Sequence, residues 1–139
     1  MSFNYSCYSA VGRQGNVQEL SLGQGCHVSG VVIHELLHAL GFYHYHSRSD
    51  RDQYLRIYTQ NIIPSMVSQF DKLTPFQNKI YTDFDYDSIM IYGSTAFSKD
   101  GRSPTMMPIK AGITLSDPGY KFGLTDKDVT SIKKLYGCA

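Results

Sequence analysis

The sequence predicts an α+β domain: a short, mostly antiparallel N-terminal sheet, one central helix, a long irregular stretch and a closing helix. Three observations carry that expectation. Residues 17–22, Val-Gln-Glu-Leu-Ser-Leu, alternate polar and apolar after a turn-rich segment at 12–16, the pattern of a half-buried strand. Residues 28–40 are mainly apolar with polar groups at helical spacing, and Gly41 follows. Near the end, Thr125 precedes Asp126 and Asp128, an apolar stripe of Val129, Ile132 and Leu135, and the basic pair Lys133 and Lys134. That order places a cap, a first-turn negative charge and a last-turn positive charge where a helix macrodipole favours them.

The elements follow in chain order. At 139 residues the chain is one domain, long enough to bury a core. Residues 8–22 read as two short strands. Cys7 and Cys26 flank them, and a disulfide there would close a polar, Gly-rich loop; Cys138, the third cysteine, is left over. The central helix spans about 28–40, with Ser29 as a candidate N-cap. The charged run 47–52 reads as a loop rich in ion pairs, of the kind that usually forms a solvated face. Residues 59–70 suggest a short helix interrupted by Pro64, and 74–118 read mostly as turns from their Gly, Pro, Asp and Ser content. No internal repeat or low-complexity segment occurs.

Bulk properties exclude several classes. The formal net charge is +1 and no long run carries one sign, so neither nucleic acid nor an anionic membrane is an expected partner. No apolar run approaches the roughly 18 residues that a membrane span requires. The opening Met-Ser-Phe-Asn-Tyr-Ser-Cys lacks the basic and apolar regions of a signal peptide.

Residues 34–44 read His-Glu-Leu-Leu-His-Ala-Leu-Gly-Phe-Tyr-His, the pattern H-E-x-x-H-x-x-G-x-x-H. Residues four apart share a helical face, with Cβ atoms about 6 Å apart. His34 and His38 can therefore reach one ion at about 2.0–2.1 Å per nitrogen. Glu35 lies about 100° round the helix, beside such an ion rather than on it, where a carboxylate serves as general base. Gly41 takes the left-handed conformation that ends the helix, and His44 returns as third ligand. Three protein ligands leave a coordination position open for water, the mark of a catalytic zinc. The bland alternative is a core helix that holds histidines by coincidence, at odds on the order of a few in a thousand for H-E-x-x-H alone. All five histidines fall between 27 and 46. His27 and His46 read as surface or supporting residues, and His46 competes with His44, since both would face the same way in an extended segment.

With the signature continuing as Tyr45-His46-Ser47-Arg48-Ser49-Asp50-Arg51-Asp52, and Asp87-Ser88-Ile89-Met90-Ile91-Tyr92-Gly93 further on, the chain resembles the astacin family of metzincin zinc endopeptidases. The resemblance runs from Cys7 to Cys138. It implies a zincin-type domain over 1–139, with strands and zinc helix in 1–44 and the Met-turn and C-terminal helix in 45–139. It implies one zinc per chain on His34, His38 and His44, Glu35 as catalytic base, Met90 as an apolar floor beneath the imidazoles, and Tyr92 as a phenol that stabilises the oxyanion. Cys7 would pair with Cys26, and Cys138 with an upstream cysteine that this sequence lacks. A polypeptide substrate would lie along the 17–22 edge strand, and the protein would be a secreted monomer.

Three departures from the family pattern stand out. The family's N-terminal strands and first helix have no counterpart here. Tyr45 replaces a glutamate that pairs with the mature N-terminus, and Ile91 replaces a non-ligating histidine. The implied activity is zinc-dependent hydrolysis of internal peptide bonds in extracellular proteins; the alternative is a zinc-binding but inactive module.

Overall fold

The structure, a computed structural model, describes residues 6–138. Its first layer is a two-stranded antiparallel sheet in which β1 (Cys7–Ser9) pairs with β2 (Leu20–Leu22), Cys7 opposite Leu22 and Ser9 opposite Leu20. The expected strand over 17–22 is thus confined to its last three residues. The Gln18 side chain instead turns back to bond Gln14 N–H and Gly12 C=O, which holds 17–19 out of the ladder. The Cys7–Cys26 disulfide closes this layer, with Cys26 fully buried. Cys138 is free and exposed.

Helix α1 (Ser29–Ala39) crosses behind the sheet and packs on both strands and on a 3-10 turn at Pro118–Tyr120. Ser29 is not its cap: Val28 holds the N-cap position with no side-chain bond, and Ser29 is the first helical residue. The C-terminal end matches expectation. Gly41, at φ +105°, lets Gly41 N–H reach His38 C=O (2.8 Å) and Phe42 N–H reach Leu37 C=O (3.0 Å). This reversal sends the chain back across the helix toward His44.

A second antiparallel pair, β3 (Leu55–Ile57) with β4 (Met106–Pro108), builds the lower layer. Between these strands the chain runs through 3-10 segments at Thr59–Asn61 and Pro64–Phe70 in place of the expected single helix. Pro64 has no N–H to donate and opens the second segment, which is where proline is tolerated. Helix α2 (Asp126–Tyr136) closes the fold. Its capping box is complete, since Thr125 Oγ1 accepts from Asp128 N–H (3.0 Å) and the Asp128 carboxylate from Thr125 N–H (3.1 Å). Of the expected stripe only Ile132 packs on the core; Val129 and Leu135 are exposed, and Asp128 and Ser131 occupy the buried face.

The core lies between α1 and the lower layer: Leu37, Tyr45, Leu55, Ile62, Phe70, Phe84, Ile89, Met90, Ile91, Met106 and Leu115. The charged run 47–52 is not the solvated face expected: its two arginines are buried, and Asp52 is exposed. Arg48 is buried with its guanidinium over the Tyr45 and Phe84 rings and paired to Asp50 at 2.8 Å. Arg51, also buried, donates to His46 C=O and Phe70 C=O. Planar guanidinium groups on aromatic faces, with their donors satisfied, are how such charge is accommodated inside a fold. No helix among the described residues is long and apolar enough to cross a membrane.

Candidate active site

Helical spacing and the Gly41 reversal bring three imidazoles to one point. The Nε2 atoms of His34 and His38 are 3.1 Å apart, those of His34 and His44 3.1 Å, and those of His38 and His44 3.0 Å. Both helical histidines are oriented from behind: His34 Nδ1 lies 2.8 Å from Ile89 C=O and His38 Nδ1 lies 2.7 Å from Phe42 C=O. A carbonyl only accepts, so each Nδ1 carries the proton and each Nε2 presents a bare lone pair. Two bare nitrogens cannot bond each other across 3.1 Å, and a third converges on the same space. That arrangement calls for a shared cation.

The donor set fits zinc. Tetrahedral zinc at about 2.0–2.1 Å per nitrogen separates its ligand atoms by about 3.3 Å, close to the spacing found. Among the described residues these three histidines are the group able to hold a metal ion. Their electrostatics suit it as well: burial lowers His34 to about 4 and holds His38 and His44 below the ordinary histidine range, so all three are neutral ligands near pH 7. The competitor, His46, is fully buried behind the site and does not enter the triad. Its ring stacks on His44 with centroids 5.0 Å apart and planes within 13°, and its Nε2 faces Gln69 C=O at 3.1 Å. His27 is exposed and bonds Leu22 C=O.

Glu35 and Tyr92 sit beside the triad. Glu35 lines the same cleft as His38, His44 and Tyr92, and burial pushes its carboxyl up to about 7. The Tyr92 ring lies 5.6 Å from that of His34 and 4.6 Å from that of His44. Burial, with Glu35 and Asp117 nearby, raises its phenol to about 12. Asp117 also accepts from Gly93 N–H at 2.7 Å, fixing the backbone that follows Tyr92. Met90 is fully buried in the turn that carries Tyr92.

The cleft, about 550 Å³, is walled on one side by Cys7, Tyr8, Ser9 and Val11 and on the other by residues between Ser68 and Leu73. No residue of 17–22 lines it, so the strand beside the candidate metal centre is β1, not the 17–22 segment expected from sequence. The reason is pairing order: β2 is hydrogen-bonded to β1, and it is β1 whose residues line the cleft. A smaller cavity of about 270 Å³, lined by Tyr45, Arg48, Tyr81 and Leu135, lies apart from Glu35 and the triad. There Tyr45 is buried, and its phenol meets Thr82 Oγ1 at 3.5 Å.

Comparison with known proteins agrees with this geometry. The model of the astacin peptidase family matches residues 2–137. The chain is 47% identical over 135 residues to zinc metalloproteinase nas-6 of Caenorhabditis elegans, covering 96% of this chain and 39% of that protein. It is 45% identical to astacin-like metalloprotease toxin 1 of Loxosceles intermedia, covering 95% and 51%. The solved structure of high choriolytic enzyme 1, a hatching-enzyme zinc protease from the medaka fish Oryzias latipes, superposes with a TM-score of 0.89 at 42% identity, covering 98% of this chain and 66% of that one. The chain thus spans about two fifths to two thirds of the length of these relatives. With its H-E-x-x-H helix, convergent histidines and matched fold, the chain belongs to the astacin family of peptidases.

Proposed function

We propose that this chain is a zinc-dependent endopeptidase that hydrolyses internal peptide bonds of extracellular polypeptides, with 1–44 and 45–139 as the two parts of a single catalytic domain flanking the cleft. The observation that carries the reading is the meeting of three Nε2 atoms within 3.1 Å of one another, two of them left bare by their Nδ1 bonds, in a cleft that Glu35 also lines. His34, His38 and His44 would hold the ion. When bound, zinc supplies Lewis acidity, polarising a carbonyl and lowering the pKa of water from about 15.7 to about 7.

Glu35 accepts the proton of the attacking water and delivers it to the leaving amine. A base poised near the working pH is the most effective, and burial sets Glu35 there. Tyr92, its phenol held protonated by burial, donates its O–H to the oxyanion that develops on the scissile carbonyl. β1 lines the cleft, and an extended substrate would lie along it in the manner of strand addition. The Cys7–Cys26 disulfide supports an oxidising, extracellular location, and the chain is taken to act as a monomer.

The test is cleavage of gelatin by the purified chain with zinc, with a chelator, and after zinc is restored. Activity lost to the chelator and regained with zinc is expected. A preparation holding one zinc per chain that cleaves nothing would refute endopeptidase activity and leave a metal-binding module.

A further inference from the structure

We propose that Lys121 and Asp128 are positioning residues of the metal centre: a cation and a buried carboxylate that grip the backbone of residues 88–91 and through it set two of the three imidazoles. This rests on the zinc reading above.

The grip is built from opposite charges: an ammonium on two carbonyls, and a carboxylate on one backbone N–H and one hydroxyl. Residues 88–91 form a turn closed by Ile91 N–H to Ser88 C=O at 3.2 Å. Lys121 Nζ donates to Ser88 C=O at 2.6 Å and to Ile91 C=O at 2.9 Å, so one ammonium joins the two ends of the turn. Asp128, 2% exposed, accepts from Ser88 Oγ at 2.6 Å and from Ile89 N–H at 3.0 Å. Hydrogen bonds to charged groups are roughly twice as strong as neutral ones. Together these four make the turn stiffer than its own internal bond would.

The other face of the turn carries the site. Ile89 C=O accepts from His34 Nδ1, and Met90 C=O accepts at 2.9 Å from Tyr45 N–H, the residue after His44. Displacing the turn would therefore move His34 through its side chain and His44 through its backbone. Tyr92 follows Ile91 directly and would shift with it. His38 takes its orientation from Phe42 C=O and shares none of these bonds. Both gripping groups come from the C-terminal segment. Asp128 belongs to the capping box of α2, and Lys121 follows the turn at Pro118–Tyr120 that packs under α1. The C-terminal segment thus braces a centre whose ligands all lie before residue 45.

Groups that orient metal ligands from behind typically affect metal affinity or activity by about 10–100-fold. The test compares wild type with Lys121→Met, Lys121→Arg and Ser88→Ala. Zinc affinity is measured by chelator competition, ligand geometry by the visible spectrum of the cobalt(II)-loaded chain, and kcat separately from KM. Lys121→Met should bind zinc about 10–100-fold more weakly, alter the cobalt spectrum and lower kcat with KM near wild type. Lys121→Arg, which keeps charge and donors, should recover most of this. Ser88→Ala, which removes the bond to Asp128 and the Met90 N–H bond to Ser88 Oγ but leaves both Lys121 bonds, should shift the spectrum by a smaller amount.

A folded Lys121→Met with wild-type affinity and spectrum would overturn the proposal, as would an Arg variant no better than Met. If Lys121→Met does not fold, an unchanged cobalt spectrum in Ser88→Ala overturns it instead. A wild type that takes up no metal overturns the zinc reading itself.

Discussion

Gly30→Ala should be strongly destabilising, although helix propensity alone argues the reverse. Gly30 is the second residue of α1, where Ala is favoured over Gly by about 1 kcal/mol. A Cβ at this position, however, would overlap Pro118 C=O and lie 2.5 Å from Lys121 C=O. Both contacts are backbone, so no side chain can rotate away. Carbon and oxygen need about 3.2 Å, which means that α1 and the 118–121 segment must part by roughly 1 Å in a packed fold. Overpacking of this kind costs about 1–3 kcal/mol and occasionally more, which exceeds the propensity gain. With two backbone contacts the upper end of that range applies, and subtracting the propensity gain leaves a net loss of about 2 kcal/mol; at an unfolding entropy of about 2.1 cal/mol/K per residue this lowers Tm by roughly 7 °C for a chain of 139 residues. Because Lys121 would be displaced too, zinc affinity should weaken in the same variant. Calorimetry of the zinc-free and zinc-loaded forms measures both effects. A variant as stable as wild type, or more so, would refute the claim that α1 and this segment are in backbone contact.

Three further outcomes follow from the same structure. Replacing Cys7 and Cys26 by serine releases a loop closed across a sequence separation of 19, which should cost about 3 kcal/mol in the chain-entropy model; urea unfolding of the two forms reads the difference. The metal-free chain should lose stability as pH falls from 6.5 toward 4. Burial holds His46 at about 4, so across that window the unfolded chain binds a proton that the folded chain does not, and roughly 3 kcal/mol present above pH 6.5 is withdrawn. His34 acts in the same direction. A urea midpoint that stays flat between pH 7 and 5 in chelator would contradict this. Finally, Tyr92→Phe should lower kcat by about 10²–10³, the loss typical of one oxyanion donor, with little change in KM. An unaltered kcat would remove the phenol from catalysis.

The features legible in the sequence are those whose geometry is local. The spacing of His34 and His38, the Gly41 reversal and the Thr125–Asp128 cap each depend on backbone within a few residues, and each is found as expected. What the sequence conceals depends on contacts across the chain. β3 and β4 are three residues each and pair across about fifty positions, and Met106-Met107-Pro108 carries no strand signature. The Asp128 carboxylate reads as an ordinary helix cap, and its second role, on Ile89 N–H, is set by a neighbour 39 residues away. His46 is the converse case: its sequence position suits a ligand, but burial against His44 and Phe70 makes it support instead. The cleft is bordered by β1 rather than by 17–22 because pairing order decides which strand lies beside it, and one segment's alternation does not carry that order.

The proposed activity needs a metal site whose ligands and base are separate residues, and Glu35→Gln separates them. Zinc content and gelatin cleavage should be measured on the same preparations of wild type and variant. One zinc per chain is expected in both, with turnover in the variant reduced by about 10²–10⁴, the usual contribution of a general base. A Gln variant that cleaves at the wild-type rate, or a wild type that cleaves without bound zinc, would contradict it.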